Sequence, residues 1–364
     1  MNNQKIPWWQ PQVGTPKERE LITRALDNNF INQGPLTEEF ETKIAHLVGA
    51  RFGIATTSCT VGITLALKAL GIGHGDEVIV PDITFIATAN AVDLAGAIPV
   101  LVDVEPNRLT IRVDAIKKAI TPKTKAIVPV HVTGRAADMD DILALAKKHN
   151  LFVVEDAAEA LLSQYKEKYL GTFGNAGCFS FSPNKTITTG QGGMIVTNDA
   201  ALCDRLHRLK DQGRPVRGTG GDDRHDTIGY NFRPTDLQAA VGLGQLERIH
   251  ERTKRMRRNY ELYTQELIGV PGVALYPSAP GEVPQWTDGV FEKRDELVAY
   301  LKEQNMDSRK YWFPLHRQLA YALPDDTFPN STRLSPQSLW LPSAFTLTDE
   351  DVLRVCEAVK AFFV

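Results

Sequence analysis

Three observations predict an α/β protein: a mainly parallel sheet in a large unit, followed by a smaller α/β unit. Five short apolar runs, at 53–55, 77–80, 98–102, 126–130 and 151–154, are separated by stretches with helical spacing. Continuous apolar strands alternating with helices belong to parallel sheets covered on both faces. Next, 178–181 and 194–197 read as strands with little room for a helix between them, which predicts an antiparallel excursion. Finally, the later prolines gather after 269. The division expected is 1–250 for the large unit and 251–364 for the small one.

Taken in order, 16–26 is a helix, with Thr15 as its N-cap and Pro16 at the first position, where the missing N–H costs nothing. An amphipathic helix at 36–47 follows. Helices at 61–70, 87–94, 113–120 and 139–149 fill the gaps between the five apolar strands. The segment 212–224, rich in Gly, Arg and Asp, reads as a mobile loop. A long helical stretch at 235–267, kinked or broken, leads into the last unit. There, 273–276 and 286–291 are strands and 294–305 is a helix. The closing helix at 349–363 has Thr348 as cap and Asp351 where a capping box usually has Glu.

Composition excludes several classes of function. The 364 residues carry 41 basic and 44 acidic side chains, net −3, so no overall field exists to hold nucleic acid or an acidic membrane. No apolar run approaches the ~20 residues of a membrane span, and the first residues show no signal-peptide pattern. The four cysteines (Cys59, Cys178, Cys203, Cys356) are scattered, without a Cys-x-x-Cys pair. A zinc site, another metal site or a disulfide framework is therefore not expected, and a reducing cytoplasm fits.

Four stretches carry chemistry. VVEDAAE at 153–159 delivers Glu155 and Asp156 at the carboxyl end of a buried strand, where open α/β sheets bind ligands. An acidic pair closing a strand would look the same. In 178–193, Lys185 follows a strand and precedes hydroxylated residues and three glycines. It is either a solvated loop charge or a lysine that forms a Schiff base with a cofactor aldehyde. The glycines lack the spacing of a dinucleotide site, which argues against a nicotinamide dehydrogenase. TTSCT at 56–60 lies between a strand and a helix, where free N–H groups suit a phosphate; plain N-capping is compatible with this. Phe85, in PDITF at 81–85, is placed to stack on a flat ring or to fill core. Together these are the parts that pyridoxal phosphate needs: a carboxylate for the ring nitrogen, a lysine, a phosphate cradle and an aromatic plate.

The order SCT, GDEVIVPDITFIATANAV, VEDAAEA, CFSFSPNKTITTGQGGMIVTND, GYNFRPTDLQAAVGLGQLERI closely resembles the DegT/StrS-type nucleotide-sugar aminotransferases. The resemblance runs over nearly the whole chain and is strongest from 53 to 249. It implies the fold-type-I architecture of pyridoxal-phosphate aminotransferases and a homodimer with shared active sites. By position, Lys185 looks like the Schiff-base lysine and Asp156 like the partner of the pyridinium nitrogen. Glu159 falls near the cofactor's 3′-oxygen, and Phe85 matches the stacking aromatic. Cys59, Thr60 and Ser180 match phosphate contacts, and Asn231 matches the asparagine that reaches the neighbouring subunit's phosphate. Three departures stand out: Gln191 replaces a usual glutamate, Cys59 a common glycine, and the segment 276–291 is short for the family's small domain. The lysine, which dehydrating relatives replace with histidine, is kept. Within the family, 184–190 and 154–159 look most like the perosamine-synthase branch, whose members aminate C4 of GDP-4-keto-6-deoxymannose.

The partners implied are glutamate and a nucleotide-diphosphate keto sugar. For the sugar nucleotide, the segment 309–316 supplies Tyr311 and His316, and the 212–224 loop supplies Arg217, as cationic, hydrogen-bonding and aromatic groups for two phosphates and a base. A keto-cyclitol substrate, or a non-catalytic member that binds the cofactor as a regulator, are the alternatives.

Overall fold

The computed structural model describes residues 4–29, 31–215 and 223–363. The chain opens with α1 (Pro16–Asp27) and α2 (Pro35–Leu47), then alternates β1 (Phe52–Thr56), α3 (Cys59–Ala69), β2 (Glu77–Pro81), α4 (Ala87–Leu94), β3 (Ile98–Val102), α5 (Val113–Ala119), β4 (Thr124–Ile127), α6 (Met139–His149) and β5 (Phe152–Asp156). A short hairpin, β6 (Gln164–Tyr165) and β7 (Lys168–Tyr169), precedes β8 (Ala176–Ser180), β9 (Gly193–Thr197) and α7 (Ala200–Lys210).

These strands form a seven-stranded sheet in the order β1-β9-β8-β5-β4-β2-β3. β9 runs antiparallel to both β8 and β1; the other neighbours are parallel. The antiparallel excursion is present where the missing helix between 181 and 194 required it. Period-2 alternation sorts side chains to two faces. Ile54, Val78, Val80, Val154, Cys178 and Ile195 pack under α3, α4 and α7. Ala55, Phe179, Met194 and Val196 face α1, α2 and the next helix, while Ile79, Ile127 and Val153 face α5 and α6. The result is helices on both sides of one sheet.

The predicted cap of α1 is a full capping box: the Thr15 hydroxyl accepts from Glu18 N, and the Glu18 carboxylate accepts from Thr15 N at 2.9 Å. Such caps contribute about 1 kcal/mol. The 235–267 stretch is two helices, α8 (Asp236–Leu246) and α9 (Ile249–Leu267), broken at Glu247–Arg248. Then follow β10 (Val273–Leu275), β11 (Asp288–Phe291), α10 (Arg294–Glu303), β12 (Arg309–Lys310), α11 (Pro329–Leu334), β13 (Ser338–Trp340) and α12 (Asp349–Phe363). The four strands make an antiparallel sheet, β10-β11-β13-β12, whose core includes Leu262, Phe291, Leu297, Val355 and Val359. The two halves are pinned by a buried pair: Arg135 donates to both Asp288 oxygens, Nη1–Oδ1 2.5 Å and Nη2–Oδ2 2.8 Å. Among the described residues no helix is long and apolar enough to cross a membrane.

Candidate active site

The carboxyl ends of β1, β2, β5 and β8 converge on one cavity of about 360 Å³. The first wall is the start of α3. Ser58 caps it, its Oγ accepting from Val61 N and its carbonyl from Gly62 N. The N–H groups of Cys59 and Thr60 are left as the open donors of the first turn, at the positive end of the helix. The Cys59 side chain turns away, donating to the Cys178 carbonyl at 3.4 Å, so a thiol here leaves its own N–H accessible. Burial pushes that thiol well above its ordinary pKa. Gly193 opens β9 directly beneath this turn: a Cβ there would lie 2.5 Å from Cys59 N and against the Ser58 carbonyl. Only glycine permits that approach.

The strand β5 separates the two adjacent acids by parity. Asp156, on the same face as Val154, enters the cavity, where its Oδ2 accepts from Thr88 Oγ1 (2.7 Å) and its Oδ1 from Ala158 N (3.1 Å). Burial pushes its carboxyl up, against the pull of these two donors and of Lys185. Glu155 points the other way. It accepts from the backbone of Gly171, Phe173 and Gly174 and lies 3.0 Å from His131 Nε2, so it folds the 171–174 turn.

Glu159 is reached from two sides. Thr133, held in the left-handed region at φ 51°, donates its N–H to Oε2 at 2.9 Å. Lys185 Nζ donates to Oε1 at 3.0 Å. Burial raises the Glu159 carboxyl while the lysine opposes the shift. The Lys185 ammonium also sits 4.8 Å from the Trp286 ring centroid, a cation–π geometry.

Of the side chains singled out from the sequence, Cys59, Thr60, Phe85, Asp156, Glu159, Ser180 and Lys185 all line this cavity. Phe85 is 54% exposed, so its ring is not core. Gln191 lines it too, accepting from Ser182 Oγ.

The structure does not bring Tyr311 and His316 there. Tyr311 is buried, its hydroxyl donating to Asp288 at 2.9 Å and its ring stacked 4.2 Å from Trp340. His316 is buried with both ring nitrogens engaged, Nδ1 with Asp82 (2.7 Å) and Nε2 with Asp325 (3.0 Å). The 309–316 segment reaches the cavity through Arg309 and Trp312 instead. Asn231 is exposed and outside it, its Oδ1 accepting from Arg233 Nε. Arg217 lies outside the described residues.

Trp286, Arg309, Trp312 and the Asp156 partner Thr88 were not singled out from the sequence. Their proximity depends on how the second sheet docks, and only the Arg309–His316 run, dense in aromatic and basic residues, hinted at it. Among the described residues no group of three or more His, Cys, Asp or Glu is arranged to hold a metal.

The sequence matches the DegT/DnrJ/EryC1/StrS aminotransferase family over residues 13–360. It is 39% identical to a GDP-perosamine synthase of Escherichia coli O157:H7, with 98% of each chain covered. Identity to a GDP-perosamine synthase of Vibrio cholerae is 36%, over 98% of this chain and 99% of that one. The fold superposes on S. venezuelae DesV, solved in complex with a ketimine intermediate, with a TM-score of 0.90 at 35% identity, covering 95% and 94% of the two chains. With this match across nearly its full length, and with one lysine and two carboxylates gathered at the ends of its parallel strands, the chain belongs to the DegT/DnrJ/EryC1/StrS family of pyridoxal-phosphate-dependent aminotransferases.

Proposed function

We propose that the protein transfers the amino group of glutamate to a keto sugar carried on a nucleoside diphosphate, at C4 of GDP-4-keto-6-deoxymannose. The observation that carries this reading is Lys185 Nζ, held 3.0 Å from Glu159 in the same cavity as Asp156 and the open turn of α3. Support for guanosine comes from the two GDP-perosamine synthases, which match 98% of the chain, and C4 is the position that the resemblance to that branch implies.

The residues present fit pyridoxal phosphate. Cys59 and Thr60 N–H, with the Thr60 and Ser180 hydroxyls, would hold the phosphate. Asp156, already fixed by Thr88 and Ala158, has lone pairs left to hold a proton at the ring nitrogen. Phe85 would cover the ring. When bound, the cofactor supplies an electron sink and a carrier for the amino group. Lys185 Nζ is the general base and acid that removes and returns the proton on the reacting carbon, and Glu159 Oε1 keeps that amine oriented between transfers. Trp286 and Trp312 close the cavity and limit water around Lys185.

A homodimer belongs to the same proposal. Asn231 stands outside the cavity of its own chain, so a phosphate contact from this residue requires a second copy.

The experiment is an assay of the holoenzyme with glutamate and a panel of keto-sugar nucleotides, reading 2-oxoglutarate release and the position of the new amine by NMR. Amination of GDP-4-keto-6-deoxymannose at C4 is expected. Turnover confined to a thymidine-linked sugar would reassign the nucleotide, and no turnover with any member would overturn the reading.

A further inference from the structure

We infer that Arg309 is the group that binds a carboxylate of the amino donor; this rests on the transaminase reading above. Arg309 and Lys310 form the two-residue strand β12, so they point to opposite sides. Lys310 pairs with Asp295 at 2.8 Å, away from the cavity. Arg309 lines the cavity, its guanidinium 4.9 Å from the Trp8 ring centroid and 5.4 Å from that of Trp340. Among the described residues the half-buried Arg309 guanidinium has no carboxylate or other hydrogen-bonding partner, although the buried arginine at this junction, Arg135, is fully paired. Two indoles hold the guanidinium in place, so little freedom remains to be lost on binding an anion.

The cavity's other cation among the described residues is Lys185, which Glu159 already occupies. Arg309 is thus the cation left uncompensated in a site lined by two carboxylates, and its burial pulls the guanidinium below its ordinary pKa. Trp8 and Trp340, which carry the guanidinium, each pack on Trp286 with ring centroids 5.3 Å apart, and Trp286 carries the Lys185 ammonium, which puts Arg309 near the lysine that handles the reacting carbon. Both substrates are anionic. The donor carries a carboxylate on the very carbon that Lys185 must deprotonate, whereas the sugar's diphosphate is separated from its reacting C4 by the hexose ring. A cation close to the Lys185–Glu159 pair therefore suits the donor carboxylate, by the planar two-point geometry that guanidinium and carboxylate share.

The test uses the holoenzymes of the wild type, Arg309→Lys and Arg309→Met, with the two half-reactions followed separately by the cofactor's absorption. Wild-type response to glutamate comes first: its absence would sink the transaminase reading itself, before any variant is compared. Given that response, Arg309→Met should weaken apparent glutamate affinity about 10- to 150-fold, the worth of one charge-assisted contact, with Arg309→Lys in between. An aryl-alkyl amine donor without a carboxylate should react equally with all three proteins, as should the keto-sugar nucleotide in the second half-reaction. Unchanged glutamate affinity would overturn the assignment. So would a loss confined to the keto sugar, which would place the diphosphate on Arg309. Equal losses in both half-reactions with a lowered Tm in both variants would reduce Arg309 to packing between Trp8 and Trp340, which also overturns it.

Discussion

Lys185 and Glu159 form a 3.0 Å ion pair inside the cavity, with side chains only 12% and 6% exposed, and Glu159 is held from behind by the Thr133 N–H. The amine is therefore aimed by a carboxylate that is itself fixed by a strained turn. A pair so enclosed is sensitive to loss of either partner, because the remaining charge keeps its desolvation cost.

Lys185→Ala should abolish turnover. Loss of a general acid–base group alone costs on the order of 10²–10⁴-fold, and here the covalent anchor goes too. The side chain is not part of an apolar cluster, but its loss leaves Glu159 buried without its cation, so Tm should fall as well. Steady-state rates and thermal melts check both halves; wild-type transamination by the variant would remove the assignment.

Asp156→Asn separates activity from stability. In the holoenzyme it should cut the rate by about 10²–10³-fold, the effect of removing about 3–4 kcal/mol of charge stabilisation. In the apoprotein the sign reverses. Burial raises the Asp156 carboxyl above its ordinary value of 3.8, so between that value and the folded one the native state binds more protons than the unfolded state. Stability then falls as pH rises through that window, and Asp156→Asn removes the penalty. Apoprotein melts at acid and neutral pH should show the variant gaining on the wild type as pH increases.

Gly193→Ala should loosen the phosphate end. The added methyl would meet the Ser58–Cys59 backbone, and overpacking of this kind costs about 1–3 kcal/mol. Cofactor affinity, measured by dialysis and absorbance, should weaken more than the Tm shift alone would predict. Unaltered cofactor retention would show that the α3 turn does not hold it.

His316→Ala should destabilise the fold by about 3 kcal/mol, since it leaves the buried Asp82 Oδ2 without its imidazole partner. The tie between the 312–316 segment and the loop carrying Phe85 would be weakened to the two backbone bonds that Leu315 N and His316 N donate to Asp82. Both half-reactions should suffer together; a defect in keto-sugar KM alone would restore a direct substrate contact for this residue.

A shared site predicts complementation. Lys185→Ala and Asn231→Ala, each inactive or weak alone, should regain activity when mixed and refolded, because one mixed site carries both intact residues. Failure to complement, with a monomer by light scattering, would count against the dimer.

Local sequence determined most of the large unit. Apolar runs and caps placed the five parallel strands, the helix Met139–His149 to the residue, and the closing helix, because hydrophobic period and capping are properties of neighbours along the chain. The helix Ala200–Lys210 went unread although Asp199 caps it through Ala201 and Leu202 N, a signal that was there to use. The motif order also marked Lys185, Asp156, Glu159 and the α3 turn, since each lies at or just past the end of a strand.

Tertiary structure alone decided the rest. Which of Glu155 and Asp156 enters the cavity depends on which sheet face α3 covers. Trp286 and Arg309 join Lys185 in one cavity where Arg135 and Asp288 dock the second sheet on the first. Tyr311 and His316, rich in polar atoms and close to Arg309 in sequence, are turned inward by Asp288 and Asp82, carboxylates 23 and 234 residues away. Sequence spacing carries no record of such distant partners, and a buried carboxylate takes whatever donor the fold brings within reach.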